Sequence, residues 1–402
     1  SRVRASRRRN QRGDKVGEIK AVGMDASAFV VGGARGVRKV QVGAAEARLC
    51  ERQSGRAVFG GRLVSRVRAS SGQVLSMAAR GGGRDAKYGE MSVVVAGGTG
   101  FIGKQLVKQL LQDGNRVTLL TRSPAITKTL FPDAEAQIRY DASIARDSVP
   151  VEVQTAVSGA DAVINLVGAS IADGRWTPSR KQELVATRVN STSMLRKAIE
   201  GAPATSCPKV FVCGSGIGYY GISDSAQAIS EEAGPGDDFL AQLCTEWEKA
   251  ATEGDIESKT RVVRIRTGVV FGKDGGALAK MLPIFAVGLG GPLGDGKQWV
   301  SWIHKDDEVG LIIEALKNDK LKGAVNAVAP NAVRFSDLSS SLGRVMSRPS
   351  FLPAPGFAVK LLLGELSTVV LDGQRVAPQR ALDAGYQFKF GELDAALRDI
   401  VD

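Results

Sequence analysis

A glycine turn near residue 100 has the spacing that brings a backbone close to a diphosphate. Residues 97–103 read Gly97-Gly98-Thr99-Gly100-Phe101-Ile102-Gly103, so glycine recurs at every third position. Glycine allows the tight turn, the close approach of the main chain to phosphate oxygens, and the packing of a helix on a strand. The free N–H groups of a following helix then face the phosphates. We therefore predict cofactor contacts at Gly97, Thr99, Gly100, Phe101, Ile102 and Gly103.

The end of the next predicted strand, residues 116–120, indicates which dinucleotide is bound. A dinucleotide fold that prefers NAD carries Asp or Glu here, which binds the ribose 2′-hydroxyl. This chain has Thr121-Arg122-Ser123 instead. A guanidinium is suited to pairing with a 2′-phosphate, so the sequence favours NADP(H) over NAD. A solvated loop arginine is the alternative interpretation.

Ser215 and Tyr219 are the candidates for proton transfer. Ser215 follows the predicted strand 209–213, and ligands bind at the carboxyl ends of parallel strands. Tyr219 and Tyr220 come directly afterwards, and either phenol could donate a proton. Packing of the two rings beneath the site is the competing interpretation. For His304, the only histidine of the chain, the alternatives are a general base and a structural hydrogen-bonding group.

Strands alternating with helices position these residues. Strands are predicted at 92–95, 116–120, 137–141, 161–169, 209–213, 260–270 and 324–328, and helices at 104–111, 148–157, 178–199, 239–248, 336–346, 357–363 and 393–400. Asp306 is predicted to cap a further helix that ends near Leu316. Alternation of this kind is typical of a parallel sheet with helices on both faces. The predicted fold class is α/β, a Rossmann-like doubly wound parallel sheet with a small C-terminal α/β domain on the substrate side.

Composition excludes several classes of protein. The chain has 402 residues and is 43% hydrophobic, which suffices for a sizeable core. No apolar run approaches the roughly 18 residues that a membrane span needs. Cys50, Cys207, Cys213 and Cys244 form no C-x-x-C pair. Neither a disulfide framework nor a metal site is predicted, and a reducing compartment fits best.

The net charge of +12 belongs to the first 90 residues. They hold 20 Lys/Arg and 7 Asp/Glu, whereas residues 91–402 hold 34 and 35. Because the remainder of the chain is close to neutral, the basic pI does not indicate nucleic acid as a partner.

Residues 1–90 have the composition of a transit peptide. They are rich in Arg, Ser, Gly and Ala, poor in acids, and lack sustained apolar periodicity. We predict a disordered basic leader, with Met24 as the true start and residues 1–23 as upstream readthrough. Val67-Arg68-Ala69 before Ser70 resembles a chloroplast processing site. Chloroplast import is favoured, and mitochondrial import is the alternative.

Several segments are specific in combination: residues 97–103, Asn165-Leu166-Val167-Gly168-Ala169, Gly218-Tyr219-Tyr220-Gly221, Phe239-Leu240-Ala241, Trp247-Glu248, Gly290-Gly291-Pro292-Leu293-Gly294, Trp302-Ile303-His304 and Gly373-Gln374-Arg375-Val376. With them, residues 91–402 resemble the extended and atypical short-chain dehydrogenase/reductases. More narrowly, they resemble an NAD(P)-binding epimerase family with chloroplast members linked to plastid division. The resemblance implies NADP contacts at Thr121, Arg122, Leu166, Val167, Glu183, Arg188 and Arg266. Gly168 joins them, because small residues suit a backbone that lies against the nicotinamide. From composition alone, Glu183 and Arg188 are solvated helix charges.

The catalytic pair of that family is missing. A working short-chain dehydrogenase uses Ser, Tyr and Lys, and its Tyr-x-x-x-Lys spacing places the last two on one helix face. The lysine lowers the tyrosine pKa, so that the phenol can exchange a proton with the substrate. If Glu248 marks the acidic residue that often follows the pair, the two positions fall on Leu240 and Cys244. Neither side chain can replace the missing residue.

Two hypotheses follow from this departure. The first is an NADP-dependent oxidoreductase or epimerase of an unknown small molecule, with Ser215 and Tyr219 as its catalytic residues. The second is a catalytically weak or inactive NADP-binding protein that acts through partners in plastid division. Three segments are predicted: the leader 1–90, an NAD(P)-binding Rossmann domain 91–349, and a small C-terminal family domain 350–402. No transmembrane segment is predicted, while peripheral association with the plastid inner envelope and homo-oligomerisation are left open.

Overall fold

The structure is a computed structural model that describes residues 90–145 and 147–402. The predictions for the leader lie outside the described residues. They include Met24 as the start, the processing site at residues 67–69, and Cys50.

The described chain alternates strands with helices, as the sequence predicts. Its strands are β1 Ser92–Ala96, β2 Arg116–Thr121, β3 Ala136–Arg139, β4 Ala162–Asn165, β5 Val210–Gly216, β6 Arg261–Thr267, β7 Val269–Gly272, β8 Trp299–Val300, β9 Trp302–His304, β10 Gly323–Ala327 and β11 Val333–Arg334. Its helices are α1 Phe101–Gln112, α2 Pro124–Leu130, α3 Val151–Ser158, α4 Pro178–Glu200, α5 Phe239–Thr252, α6 Gly276–Ala286, α7 Lys305–Lys317, α8 Phe335–Val345, α9 Gly356–Leu363, α10 Thr368–Leu371, α11 Gln379–Asp383 and α12 Leu393–Val401.

Seven strands form one parallel sheet in the order β10-β6-β5-β4-β1-β2-β3. The chain moves outward from β1 through β2 to β3, then returns to the other side of β1 with β4. A crevice therefore opens at the carboxyl ends of β1 and β4, where doubly wound sheets bind their ligands. The predicted Rossmann-like doubly wound parallel sheet is confirmed.

The sheet is covered on both faces, because alternate residues of its strands pack into different hydrophobic clusters. Val93 and Val95 of β1 belong to one cluster, together with Leu106 of α1. Val94 of β1 belongs to the other, together with Leu195 of α4. Both faces of the sheet are thus covered by helices. The turns at the carboxyl ends of the strands are the part of the sheet that remains to form a site.

A third cluster lies outside the sheet and joins the later elements. It contains Phe271 of β7, Trp302 of β9, Phe335 of α8 and Leu397 of α12. Two short sheets accompany it, a β7–β9 pair and a β11–β8 pair. Residues 350–402 contribute helices to this region and no strand of their own. The predicted boundary between 349 and 350 stays a prediction, since residues on both sides share this cluster.

The predicted cap of α7 is wrong by two residues. His304 is the capping residue, and its Nδ1 accepts a hydrogen bond from the backbone N–H of Asp306 at 3.1 Å. The Asp306 carboxylate instead accepts hydrogen bonds from Gln105 at 2.6 Å and from Lys389 at 2.9 Å. The helix begins earlier than predicted because an imidazole nitrogen serves as the acceptor that a carboxylate more often supplies.

Among the described helices, none combines the length and the apolar composition needed to cross a membrane.

Candidate functional site

The glycine turn between β1 and α1 is packed too closely for side chains. Gly97 has φ of +86°, and its carbonyl accepts a hydrogen bond from the Gly100 N–H at 3.0 Å. A Cβ on Gly97 would lie 2.7 Å from the carbonyl carbon of Leu166, and one on Gly103 would lie 2.2 Å from the Gly97 oxygen. No side chain caps the first turn of α1. Its backbone N–H groups are therefore available to an anion at this edge.

The end of β4 is held beside this turn. The Leu166 N–H donates to the Ala96 carbonyl at 2.9 Å, and the Val167 N–H donates to Asn165 Oδ1 at 3.1 Å. Asn165 is buried and donates in turn to Thr192 Oγ1 at 2.9 Å. The structure thus brings Leu166 and Val167 together with the glycine turn, as the sequence predicts for a dinucleotide crevice.

Thr121 and Arg122, at the end of β2, have different environments. Thr121 is buried, and its hydroxyl lies 2.8 Å from that of Thr127 and accepts from the Ser123 N–H at 3.2 Å. Arg122 is exposed and forms neither an ion pair nor a hydrogen bond with another described residue. The strand end therefore presents an unneutralised guanidinium and no carboxylate. This chemistry fits a ribose 2′-phosphate.

Glu183 and Arg188 lie on α4, one turn and a half apart, with contrasting burial. Glu183 is 52% exposed and is paired with Arg180 at 2.6 Å. Arg188 is buried, although composition predicts a solvated charge. Its guanidinium carbon lies 5.0 Å from the Trp247 ring centroid, and Nη1 donates to the Leu184 carbonyl at 3.0 Å. Burial lowers the pKa of Arg188 to about 10.

A buried carboxylate organises the end of β5. Glu248 accepts hydrogen bonds from Ser215 Oγ at 2.8 Å, from Arg266 Nε at 2.7 Å and Nη2 at 2.9 Å, and from Arg264 at 3.3 Å. The Ser215 proton is therefore directed toward Glu248. Three of the Arg266 donor groups are in use as well, because Nη1 donates to the Tyr220 hydroxyl at 2.9 Å. In the sequence, Glu248 served only to locate the positions of the Tyr-x-x-x-Lys pair. Its pairing with two arginines could not be predicted, because both lie on a distant strand.

The two tyrosines after β5 differ in whether their hydroxyl groups form hydrogen bonds. Tyr220 donates to Asn326 Oδ1 at 2.7 Å, and burial raises its pKa. Tyr219 packs its ring 3.5 Å from the guanidinium carbon of Arg266. Its hydroxyl forms no hydrogen bond with the described residues. Tyr220 is thus engaged in the interior, and Tyr219 keeps a free hydroxyl.

Leu240 and Cys244 lie where the Tyr-x-x-x-Lys spacing puts them, on the face of α5 that meets the segment after β5. A Cβ on Gly218 would lie 3.0 Å from the Leu240 Cβ, and one on Gly216 would lie 3.7 Å from Cys244 Sγ. Burial raises the pKa of the Cys244 thiol to about 12. The thiol is therefore uncharged at neutral pH and is a poor nucleophile. The position beside Ser215 holds neither a phenol nor an ammonium group.

His304 is buried among structural partners. Nδ1 caps α7, and the ring centroid lies 4.0 Å from that of Phe390. Burial lowers the pKa of this imidazole. These contacts favour the structural interpretation over a general base.

Among the described residues, no group of three His, Cys, Asp or Glu side chains is arranged to hold a metal ion.

A cavity of about 410 Å³ lies on the later side of the fold, next to the segment that follows Tyr220. Arg334 stacks on the Trp299 ring at 3.7 Å, and Arg375 lies 5.1 Å from the same ring. The Trp299 indole N–H is buried without a hydrogen-bond partner in the described chain. Gln374 donates to the Ile217 carbonyl at 2.7 Å, which ties this region to the end of β5. The sequence gave no signal for Arg334.

Comparisons with known proteins extend over the sheet and the helices that follow it. Residues 93–328 match the model of the NAD dependent epimerase/dehydratase family, and residues 354–400 match a domain of unknown function, DUF1731. The chain is 45% identical over 315 residues to the "Epimerase family protein SDR39U1 homolog, chloroplastic" of Arabidopsis thaliana, which covers 78% of this chain and 88% of that protein. It is 38% identical over 315 residues to the human "Epimerase family protein SDR39U1", over 77% of this chain and 100% of that one. The crystal structure of the human protein (isoform2) with NADPH matches with a TM-score of 0.67 and 37% identity, over 77% of this chain and 98% of that chain.

Proposed function

This chain belongs to the NAD dependent epimerase/dehydratase family, and we propose that it is an NADP(H)-binding protein of the plastid that lacks the proton-transfer pair of its family. The proposal rests on one observation. The crevice expected for a dinucleotide lies near Leu240 and Cys244, whose side chains are apolar. The cofactor is expected to bind, while the ordinary route to its chemistry is missing.

NADP(H) is proposed over NAD because of the end of β2. Arg122 is exposed and unpaired in the described chain, and no carboxylate stands there to bind a 2′-hydroxyl. The human relative was crystallised with NADPH, which supports the same choice. We assign the 2′-phosphate to Arg122 and the pyrophosphate to the backbone N–H groups that open α1.

The nicotinamide half is assigned to the side of β4. The backbone of Leu166, Val167 and Gly168 would lie against it, since these residues follow the strand that borders the crevice. When bound, NADPH supplies a hydride from its nicotinamide ring. Ser215 Oγ donates to Glu248, so it can accept a hydrogen bond from a ligand, whereas donating to a ligand requires it to release that bond. Tyr219 is then the remaining phenol near the site, and it is the catalytic candidate of the enzyme hypothesis.

That enzyme hypothesis is an NADP-dependent oxidoreductase or epimerase of a small molecule. The cavity supports it, because Trp299, with its unpartnered indole N–H, and the Arg334 guanidinium line the cavity and could bind oxygen atoms of a substrate. We place it second, because the positions of the Tyr-x-x-x-Lys pair hold Leu240 and Cys244, which cannot exchange a proton with a substrate.

Cofactor binding and turnover decide between the two. The test is the change in NADPH fluorescence on titration with the protein, followed by assays of NADPH oxidation against a panel of carbonyl compounds and sugar nucleotides. The proposal predicts saturable binding and no turnover. Turnover that is lost in Tyr219→Phe would establish the enzyme hypothesis instead, and absence of NADPH binding would refute both.

The plastid location rests on the leader composition and on the chloroplastic name of the Arabidopsis relative. The partner-based form of the proposal leaves homo-oligomerisation open and gives the protein a peripheral role in plastid division at the inner envelope. It is supported by apolar side chains on and before α9 that face solvent, among them Phe351, Phe357 and Leu361, which are 74%, 76% and 77% exposed. Such a cluster is typical of an interaction surface.

The α9 surface can be tested without disturbing the fold. Phe357→Ser with Leu361→Ser should abolish cosedimentation with vesicles of galactolipid and phosphatidylglycerol and leave Tm within about 2 °C, because both side chains are already exposed. Ile126→Ser on α2, where the side chain is 61% exposed, is the matched control and should bind like the parent. Equal vesicle binding by the parent and the double variant would remove the envelope from the proposal.

A further inference from the structure

Glu308 is a buried carboxyl group without a cation beside it. Four acidic side chains are buried in the described chain, and three of them are well bound. Glu248 is paired with two arginines, while Asp307 and Glu231 each accept hydrogen bonds from two backbone N–H groups. Glu308 is fully buried, accepts one hydrogen bond, from the Thr267 hydroxyl at 2.7 Å, and its Oε2 has no partner among the described residues. Such a group is held far more easily in its neutral, protonated form than as an anion.

The first turns of α7 and α1 lie side by side at the carboxyl edge of the sheet. Lys305 Nζ, at the start of α7, is 4.9 Å from the ring centroid of Phe101, the first residue of α1. One turn further along α1, Gln105 donates to Asp306 of α7 at 2.6 Å. Packed helices are about 8–10 Å apart and rise about 1.5 Å per residue, so Glu308 lies about 10 Å from the N–H groups that open α1. The carboxyl group is therefore close to the position proposed for the cofactor pyrophosphate.

Among the described residues, the strands and the helix packed against Glu308 offer it no free cation. Strands β5, β7 and β10 contain no charged residue, and α1 presents the uncharged Gln105. Arg261 of β6 lies at the opposite end of α7, where it donates to two backbone carbonyls. A negative charge on Glu308 would therefore stay uncompensated from this side.

The titratable groups around the first turns of α7 do not compensate it either. The lysines there already have carboxylate partners, in the pairs Lys305–Asp274 and Lys389–Asp306. The imidazole of His304 is uncharged at pH 7 and above, because burial lowers its pKa. The remaining groups are acidic or phenolic, namely Asp306, Asp307 and Glu314 on α7 and Tyr386 after α11.

The charge of Glu308 consequently changes near neutral pH. Burial raises its pKa to about 8, and the hydrogen bond from Thr267 lowers the pKa by a smaller amount. The group is neutral at pH 7 and becomes an anion above pH 8. Because the protein interior screens charge weakly, an anion about 10 Å from the pyrophosphate repels it appreciably.

We propose that Glu308 links NADP(H) binding to the uptake of a proton: the cofactor binds tightly while this carboxyl group is protonated, and ionisation of the group weakens the binding. The inference rests on the proposed function, since it needs the pyrophosphate at the start of α1. An NADP(H)-binding protein without turnover would thus still respond to pH.

The sign of the effect follows from linkage. A bound anion disfavours the ionised carboxylate, so the pKa of Glu308 is higher in the complex than in the free protein. The affinity for NADPH is then constant well below pH 8, falls as pH rises through that value, and becomes constant again above the pKa of the complex. Between the two pKa values, the protein takes up protons when NADPH binds.

The test is calorimetric titration of the full chain with NADPH at pH 7 and pH 9, where a phosphate monoester, with a second pKa of about 6, is already mostly a dianion. The parent is expected to bind NADPH about threefold or more weakly at pH 9. Glu308→Gln keeps the shape of the side chain but cannot ionise. It should bind like the parent at pH 7 and lose at most half as much affinity at pH 9. At pH 8 the parent should take up protons, measured as different binding enthalpies in Tris and HEPES buffers, and Glu308→Gln should take up fewer.

Two further variants separate the charge from the structure. Glu314→Gln, about 9 Å further along α7, is the matched control and should keep the pH dependence of the parent. Thr267→Val removes the hydrogen bond that favours the ionised carboxylate, so its affinity should begin to fall at a higher pH than that of the parent. This variant decides the question if Glu308→Gln does not fold, and circular dichroism at both pH values checks the fold of every sample.

Three results would overturn the proposal: a parent affinity that is the same at pH 7 and pH 9, an equal fall in the parent and Glu308→Gln, or equal proton uptake by these two proteins. An unshifted pH dependence in Thr267→Val would do the same. If the parent did not bind NADPH at pH 7, the proposed function itself would fail.

Discussion

The arginines near the carboxyl edge of the sheet fall into two groups by what they already bind. Arg264 and Arg266 are paired with the Glu248 carboxylate at 3.3 and 2.7 Å, so they belong to the interior of the protein. Arg122 and Arg188 have no carboxylate partner among the described residues and stand on opposite sides of β1. Satisfied guanidinium groups stabilise the fold, whereas unsatisfied ones are the groups expected to bind a ligand.

Glu248 is predicted to be essential for stability. Glu248→Gln should destabilise the apo protein by about 3–5 kcal/mol, because it leaves two buried or half-buried arginines without their carboxylate. Urea denaturation followed by circular dichroism would measure the change. Glu246→Gln, an exposed position on the same helix, is the control and should have little effect. A loss no greater than that of the control would contradict the role of Glu248.

Glu308 should make stability depend on pH. It is fully buried, accepts one hydrogen bond from Thr267 at 2.7 Å, and burial raises its pKa to about 8. The folded state therefore holds the proton more tightly than the unfolded state, in which the pKa is near 4.3. This contribution is complete below that lower pKa and falls by about 1.4 kcal/mol per pH unit as pH rises towards 8. Unfolding free energies at pH 5 and pH 8 should differ more in the parent than in Glu308→Gln. The same difference in both proteins would exclude Glu308 as the cause.

At the scale of elements, the site depends on three chain turns at the carboxyl ends of β1, β2 and β4. Helix periodicity and strand composition were sufficient to predict these elements, because both signals are local. Burial of Arg188 was not predictable in the same way, since it depends on how α4 packs against α5 and on the space left at Gly168. The Glu248 pairs were missed for the same reason, because their partners are brought together by the fold and not by spacing along the chain. The His304 cap is a local contact with the Asp306 N–H, and it was missed because an imidazole is an unusual capping acceptor.

The glycine turn gives a prediction at this scale. Gly103→Ala should destabilise the protein by more than about 2 kcal/mol, because its Cβ would meet the Gly97 carbonyl at 2.2 Å, a backbone atom that cannot rotate away. The same substitution should weaken NADPH, since α1 can no longer pack close to β1. Gly391→Ala, whose Cβ would meet no atom within 4 Å, is the control for denaturation and titration. Full stability of Gly103→Ala would show that the turn tolerates a side chain.

At the scale of the whole molecule, cofactor binding and catalysis rest on different parts of the fold. The proposed binding site consists of the backbone of the turns and two guanidinium groups that have no carboxylate partner in the described chain. Catalysis in the family needs a phenol and an ammonium on α5, where this chain has Leu240 and Cys244. The sequence predicted that loss, because Glu248, taken as the acidic residue that follows the pair, locates the two positions together with the Tyr-x-x-x-Lys spacing. The choice of NADP(H) over NAD is therefore the claim to test first.

The most direct test of that claim is the affinity for NADPH and NADH in the parent and in Arg122→Ala, measured by fluorescence titration at one salt concentration. The parent is expected to prefer NADPH at least tenfold, through a charge-assisted pair between the guanidinium and the 2′-phosphate. Arg122→Ala should lose that preference and bind NADH as the parent does. Equal losses for the two cofactors, or a parent that prefers NADH, would contradict the assignment of the 2′-phosphate to Arg122.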